Sequence, residues 1–249
     1  MEMYKHVSPG IVLIGRYGLL DTGVWLFHHN QECAILEMPD INPKNNSHPK
    51  AWESVTYYIK EKKLNPKFIT VTHAHRDHID SFQRFHKAFQ RIPILLHETF
   101  FKRGSYFRIK KVSNVIQSND LKDLIRKKRE PSLIYQKVPI YCWRGRIFKT
   151  DIGGEVLFLV HVPKHSLSDT MLIFRGTMIT GDWWLGPGDP NKNHIPIRTI
   201  NDSISFLQNF VNERNYRIRN LFSVHANEFR RELSQQNYQE LLESTRRLA

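Results

Sequence analysis

Cysteine is scarce in this 249-residue sequence: Cys33 and Cys142 stand far apart and form no C-x-x-C pair. Two such thiols read as buried side chains, which argues against a metal site built on thiolates and fits a reducing cytoplasm. Long apolar runs are absent, and none approaches the roughly 18 residues of a membrane helix. The N-terminal stretch MEMYKHVSPGIVLIG has a short apolar patch with no small-residue cleavage signal after it, so it reads as a first strand, not a signal peptide. No internal repeat and no low-complexity linker is visible. Acidic residues are also short in supply, 24 Asp and Glu against 37 Lys and Arg, for a formal net charge of +13.

What is present is a globular composition, about 40% apolar, in a length that supports a sizeable core. The positive charge is not spread evenly. Between Phe100 and Lys149 there are 14 Lys and Arg against 3 Asp and Glu. Arg103, Arg108, Lys110, Lys111 and Arg126 to Arg129 are interleaved there with Phe101, Tyr106 and Phe107. Such a segment concentrates anions by steering, and charge alternating with aromatics suits either single-stranded nucleic acid or a lid over an anionic small molecule. It carries no RNA-binding module signature. The expected organisation is one domain over residues 1–249, with residues 100–149 as a basic insertion over or beside the main fold.

Elsewhere the pattern alternates between strands and helices. Gly10 to Gly15 reads as a strand, and Val24 to Phe27 and Ala34 to Leu36 flank a hairpin turn at His28 to Glu32. Pro49 to Lys63 has helical spacing at Trp52, Val55, Tyr58 and Ile59, ended by Asn65-Pro66. Phe68 to Val71 is a strand, Ser81 to Phe89 a helix, Pro93 to Leu96 a short strand, and LKDLIRKK a short basic helix. From Glu155 come the strands VLFLV, TMLIF and MIT, a helix from Asn201 to Asn212, a strand from Leu221 to Val224 and a closing helix from Ser234 to Leu248. Two packed sheets with helices outside account for this order.

The chemistry sits in Phe68 to Asp80, FITVTHAHRDHID. An apolar strand ends, and His73, His75, Asp77 and His78 follow within eight residues of it. Neutral imidazole and carboxylate are ligands for zinc and also for manganese or iron. His73 and His75, two apart in extended backbone, share one side and suit one ion; Asp77 and His78 suit a second. Adjacent histidines repel when protonated and desolvate poorly, so packing alone does not explain them. Further metal-type ligands follow other strands: His165 after VLFLV, Asp182 after MIT and His225 after LFSV.

The set HxHxDH, a later histidine, an aspartate after glycine and a last histidine resembles the metallo-β-lactamase superfamily over nearly the whole chain. The resemblance implies an α/β fold, a four-layer αββα sandwich, with two divalent metal ions, zinc first and manganese or iron as alternatives, at one sheet edge. It implies His73, His75 and His165 on the first ion, Asp77, His78 and His225 on the second, and Asp182 bridging them. The family's acid at the end of the early hairpin, which steadies the ligand loop, corresponds most closely to Glu37, with Asp40 as a second candidate. The usual H-T-P-G-H turn is His161-Val-Pro-Lys-His165 here, so Lys164 stands in place of a glycine and points to a role at the site mouth. Ile79-Asp80-Ser81 replaces the family's small residues.

The activity this implies is a metal-dependent hydrolase cleaving an ester, thioester or lactone through an activated water, with Asp77 carrying a proton to the leaving group. The alternatives are a nuclease or phosphodiesterase acting on RNA or DNA through the basic segment, a mononuclear iron oxygenase on the same fold, and a non-catalytic scaffold. His161 either steadies the ligand loop or packs. Trp183, and with it Trp184, is a candidate pocket wall, and His194 a candidate substrate contact. The remaining histidines, including His6, His28, His29, His48, His86 and His97, read as ordinary.

Overall fold

The computed structural model describes residues 4–39, 49–101, 112–117, 121, 124, 129–185, 195–225 and 230–248. Asp40, His48, His194, the aromatic and basic residues from Arg103 to Lys111 and most of the short basic helix lie outside these residues.

Two sheets form the centre. The first holds β1 (Lys5–Ser8), β2 (Ile11–Tyr17), β3 (Thr22–His29), β4 (Glu32–Leu36), β5 (Asn65–Thr70), β6 (Ile94–His97), β7 (Leu133–Tyr135) and β8 (Val138–Trp143), in the order β1-β2-β3-β4-β5-β6-β8-β7. The second holds β9 (Ile147–Ile152), β10 (Glu155–His161), β11 (Thr170–Phe174), β12 (Thr177–Ile179) and β13 (Asn220–Phe222), in the order β13-β12-β11-β10-β9. The helices are α1 (Ala51–Glu61), α2 (Arg76–Ile79), α3 (Phe82–Ala88), α4 (Ile197–Glu213) and α5 (Gln235–Leu248).

Period-two alternation within each strand builds three apolar layers between four structural ones. In β3, Val24 and Leu26 face the layer shared with α1 and α3, whereas Trp25 and Phe27 face the second sheet. In β10, Leu157 and Leu159 face the first sheet, and Phe158 and Val160 face α4 and α5. Strands buried on both faces must be apolar on both, which is why they read as continuous hydrophobic runs. Side chains as fully enclosed as Trp25, Phe27 and Phe174 each contribute on the order of 1.5–3 kcal/mol. The helices cover the outer faces with their own stripes: Val55, Tyr58 and Ile59 from α1, Phe82 and Phe85 from α3, Ile200, Ile204 and Leu207 from α4, Tyr238 and Leu242 from α5. The result is an αββα sandwich.

Three local readings change. The β3–β4 hairpin is tighter than expected: His28 pairs with Cys33 and His29 with Glu32. Only Asn30 and Gln31 turn, both at positive φ, the two-residue turn that matches the strand twist. Helix α4 begins at Ile197, immediately after Pro196, four residues earlier than its apolar spacing indicates. The segment from Phe100 to Lys149 is not wholly an insertion. Its last third forms β7, β8 and the start of β9, with β8 parallel to β6 inside the first sheet. Ile116, Leu121 and Leu124 join the core between the sheets. The two strands carry no charge themselves but are short and lie between basic stretches, and Pro139 within β8 reads against a strand.

Candidate metal centre

The ligand-type side chains all follow the C-terminal ends of strands at one edge of the sandwich. β5 ends at Thr70 and leads through Thr72 to His73 and His75. His75 is extended and caps α2, and the single turn of α2 swings Asp77 and His78 onto a second face of the same cavity. β10 leads to His165, β12 to Asp182 and β13 to His225. Gly181 allows the second sheet to come close. Its φ is +64°, and a Cβ there would lie 2.6 Å from the Thr72 side chain, so only glycine fits.

Seven side chains converge in two groups. His75 Nδ1 lies 2.9 Å from His73 Nε2 and 3.0 Å from His165 Nε2. Asp182 Oδ2 completes this group at 3.8 Å from His73 Nε2 and 3.5 Å from His165 Nε2. In the second group Asp77 Oδ2 lies 3.1 Å from His78 Nε2 and 3.2 Å from His225 Nε2. Asp182 Oδ1 closes it at 3.5 Å from His78 Nε2 and 3.3 Å from His225 Nε2. One carboxylate thus offers one oxygen to each group. A tetrahedral ion with ligand bonds near 2.0–2.1 Å separates its ligands by about 3.3 Å, and the eight separations scatter around that value.

The donor chemistry fits divalent ions. Among the described residues, His78 Nε2 and Asp182 Oδ1 are buried and have only each other and the site's ligand-type atoms as neighbours, with no hydrogen bond of good geometry, a costly state unless something else occupies them. The opposite ring nitrogens are held. Thr72 Oγ1 donates to Glu37 Oε1 at 2.6 Å and is left to accept from His73 Nδ1 at 3.2 Å. Nδ1 of His225 donates to the Leu20 carbonyl at 2.9 Å. His78 Nδ1 lies 3.3 Å from Glu37 Oε2. Each contact turns Nε2 toward the cavity, where a bound ion would take its lone pair in place of a proton.

Electrostatics follow the same geometry. Burial opposes ionisation of Asp182, yet His73, His225 and His78 outweigh it and hold the carboxyl well below the usual range. Asp77 is lowered in the same way by His225 and His78 against burial. Burial pushes His73 down, with His78 adding to the effect. Burial also lowers His225, but the Asp182 and Asp77 carboxylates beside its Nε2 bring it up to about 9.

Several residues sit elsewhere than their sequence position indicates. Lys164 is not at the mouth. It is 4% exposed, and its Nζ donates to the Trp183 carbonyl at 2.7 Å. Trp183 is fully buried, with Nε1 bonded to the Val162 carbonyl at 2.7 Å, so it packs beneath the loop. Trp184 is also buried and bonds to Thr245 on α5. His161 donates from Nδ1 to the Asp169 carbonyl at 3.0 Å and stacks on His97, with ring centroids 3.6 Å apart. Glu37 lies directly behind His78 and Thr72. It holds φ +79°, a strained setting for a non-glycine residue that its hydrogen bonds offset.

Two residues escaped the sequence reading. Thr72 links Glu37 to His73, and its only signal was its place immediately before HxHxDH. Asp169 stands four residues beyond His165, and nothing in the spacing shows that its side chain folds back on that loop.

No protein-family model matches the sequence, and no curated protein sequence does. Solved structures match over nearly the full chain. A metallo-β-lactamase from Pontibacter korlensis aligns with TM-score 0.62 and 13% identity, over 98% of this chain and 97% of that one. A metallo-β-lactamase family protein from Thermus thermophilus aligns with TM-score 0.56 and 15% identity, over 97% and 81%. Rubredoxin oxygen:oxidoreductase from Desulfovibrio gigas aligns with TM-score 0.60 and 10% identity, over 98% of this chain and 61% of that longer one. Together with the four layers and the clustered ligand-type residues, these likenesses establish that the chain has the metallo-β-lactamase fold.

Proposed function

We propose that this chain is a hydrolase that holds two divalent metal ions, zinc in the first instance, and cleaves an ester, thioester or lactone. The observation that carries the reading is that Asp182 lies beside both histidine groups, with Oδ2 3.5 Å from His165 Nε2 and Oδ1 3.3 Å from His225 Nε2. His73, His75 and His165 would hold the first ion, Asp77, His78 and His225 the second, with Asp182 bridging. When bound, such ions supply Lewis acidity toward the substrate oxygen and a water acidic enough to attack near neutral pH.

The chain's own residues supply orientation and proton handling. Glu37 and Thr72 fix the rings of His78 and His73, so the donors stay aimed before substrate arrives. Asp77 is half-buried at the rim of its group and keeps a low pKa. Its place beside His78 and His225, not its acidity, is what sets it near the attacking water as a candidate proton relay toward the leaving group.

The second ligand group favours hydrolysis over a single-iron oxygenase, which needs one group only. The surroundings favour a carbonyl substrate over a nucleic acid. Leu20, whose carbonyl holds His225, is 61% exposed, and its neighbour Leu19 is 56% exposed. Leu167 in the His165 loop and Leu185 beyond Asp182 are exposed as well. Leucines in the loops around a site suit a neutral, partly apolar ligand better than a polyanion. The structural neighbours named as metallo-β-lactamases point the same way, to small-molecule substrates.

A panel of chromogenic esters, thioesters, lactones and phosphodiesters tests this. The expected result is turnover of a carbonyl substrate that a chelator abolishes and added zinc or manganese restores. Turnover of the phosphodiester alone, or activity that survives complete metal removal, would contradict it.

A further inference from the structure

We infer that Asp169 is the positioning residue for His165, so that its loss frees one of the two metal groups and spares the other. The inference rests on the two-ion reading above. Asp169 is 3% exposed and lies at the end of the loop that carries His165. Its Oδ2 accepts three successive backbone N–H groups, from Lys164 at 2.8 Å, His165 at 2.6 Å and Ser166 at 2.9 Å. Its Oδ1 accepts the Ser166 hydroxyl at 2.7 Å. One carboxylate therefore closes the whole loop around the residue whose ring must face the cavity. Three converging N–H donors make a concave nest whose natural occupant is an anion, here supplied internally.

The loop is tied in turn to the other ligand segment. Ser168 Oγ accepts the Ala74 N–H at 3.0 Å, between His73 and His75, and Thr170 N–H donates to the Thr72 carbonyl at 2.7 Å. Behind it, the Asp169 carbonyl accepts both the Val162 N–H at 2.9 Å and the His161 ring. His161 stacks on His97 of β6, so the clasp reaches the first sheet. The Asp169 carboxylate thus sets His165, while Ser168 and Thr170 tie the loop to the His73 and His75 segment. The Asp77, His78 and His225 group rests instead on the Leu20 carbonyl and on Glu37, which reaches the first group only through Thr72. This separation predicts a selective effect. A residue that only stabilised the fold would weaken both groups alike.

Zinc titration of the apo-protein against a chromogenic chelator reads the effect directly. Wild-type protein is expected to take two tight equivalents. In Asp169→Asn one equivalent should weaken by about 10- to 100-fold, the usual cost of losing a support behind a ligand, while the other is unchanged. In a His225→Ala background, Asp169→Asn should weaken the remaining tight equivalent by the same factor. In a His165→Ala background it should change nothing further. If Asp169→Asn does not fold, Ser166→Ala carries the test. It removes one of the four bonds and should weaken the same equivalent by about 2- to 10-fold. Wild-type protein that binds fewer than two equivalents overturns the two-ion reading and this inference with it. Two equivalents in wild type, with both or neither weakened in the variants, overturn this inference alone.

Discussion

His78 and Glu37 face one another across 3.3 Å, Nδ1 to Oε2, with both side chains completely enclosed. The carboxylate fixes the imidazole from behind and leaves Nε2 as the only nitrogen free to serve the cavity. Glu37 also accepts the Thr72 N–H and hydroxyl, so one acid supports ligands of both groups. Glu37→Gln keeps the shape but removes the charge behind His78. The expected outcome is a loss of zinc affinity of about 10- to 100-fold, the cost expected for a support behind a ligand. Calorimetric zinc titration at fixed pH checks it, and unchanged affinity would show that the contact is packing only.

Gly181 is the second point on which the geometry turns. Alanine there meets the Thr72 side chain at 2.6 Å and must hold φ +64°. Strain of this kind costs on the order of 1–3 kcal/mol. Gly181→Ala should lower the denaturant midpoint without changing its slope, and should reduce metal content because Thr72 and Asp182 are driven apart. A variant as stable and as metal-rich as wild type would contradict the close approach.

How much of this could be read from residues alone differs by element. The ligand-type residues were legible because each follows a short apolar run, and strand ends are where such runs deliver side chains to one edge. Glu37 came from the family resemblance, with Asp40 as the alternative. Lys164 and Trp183 misled for a physical reason: both neighbour metal-type residues in sequence, but burial satisfies their polar atoms on backbone carbonyls. Lys164 in a glycine's place reads as a charge needing solvent, whereas its stem and ammonium find room against Trp183, with Nζ 5.4 Å from the ring centroid. β7 and β8 were lost within a basic stretch, and Asp169 was invisible because its role depends on a loop folding back over four residues.

Lys164→Met offers a direct check of that correction. The substitution keeps the buried stem and removes the bond from Nζ to the Trp183 carbonyl. Stability should fall by about 1 kcal/mol, the worth of one hydrogen bond, while KM for the best substrate stays unchanged. A rise in KM with no loss of stability would return Lys164 to the site mouth.

Alkaline pH should weaken the fold through its buried acids. Burial pushes the Cys142 thiol from its ordinary 9.0 up to about 12, and raises Cys33 and Tyr238 further. Above pH 9 the unfolded chain releases these protons and the folded chain keeps them. The unfolded state then binds fewer protons, so stability falls as pH rises from about 9 toward 12. Below 9 these groups contribute no pH dependence. Urea midpoints measured from pH 8 to 11 should decline progressively, and native thiols should resist alkylation at pH 8 until the protein is unfolded. Flat midpoints or ready alkylation of the native protein would contradict the burial of both cysteines.

The most direct test of the central claim is metal content by elemental mass spectrometry, on wild-type protein and Asp182→Ala purified without chelators or a histidine tag. The account predicts about two divalent ions per wild-type chain, the number a two-metal hydrolytic site holds, and loss from both groups in Asp182→Ala, because its two oxygens serve both. A wild-type chain that takes up no metal even after reconstitution, or an Asp182→Ala variant that keeps its full complement, would contradict it.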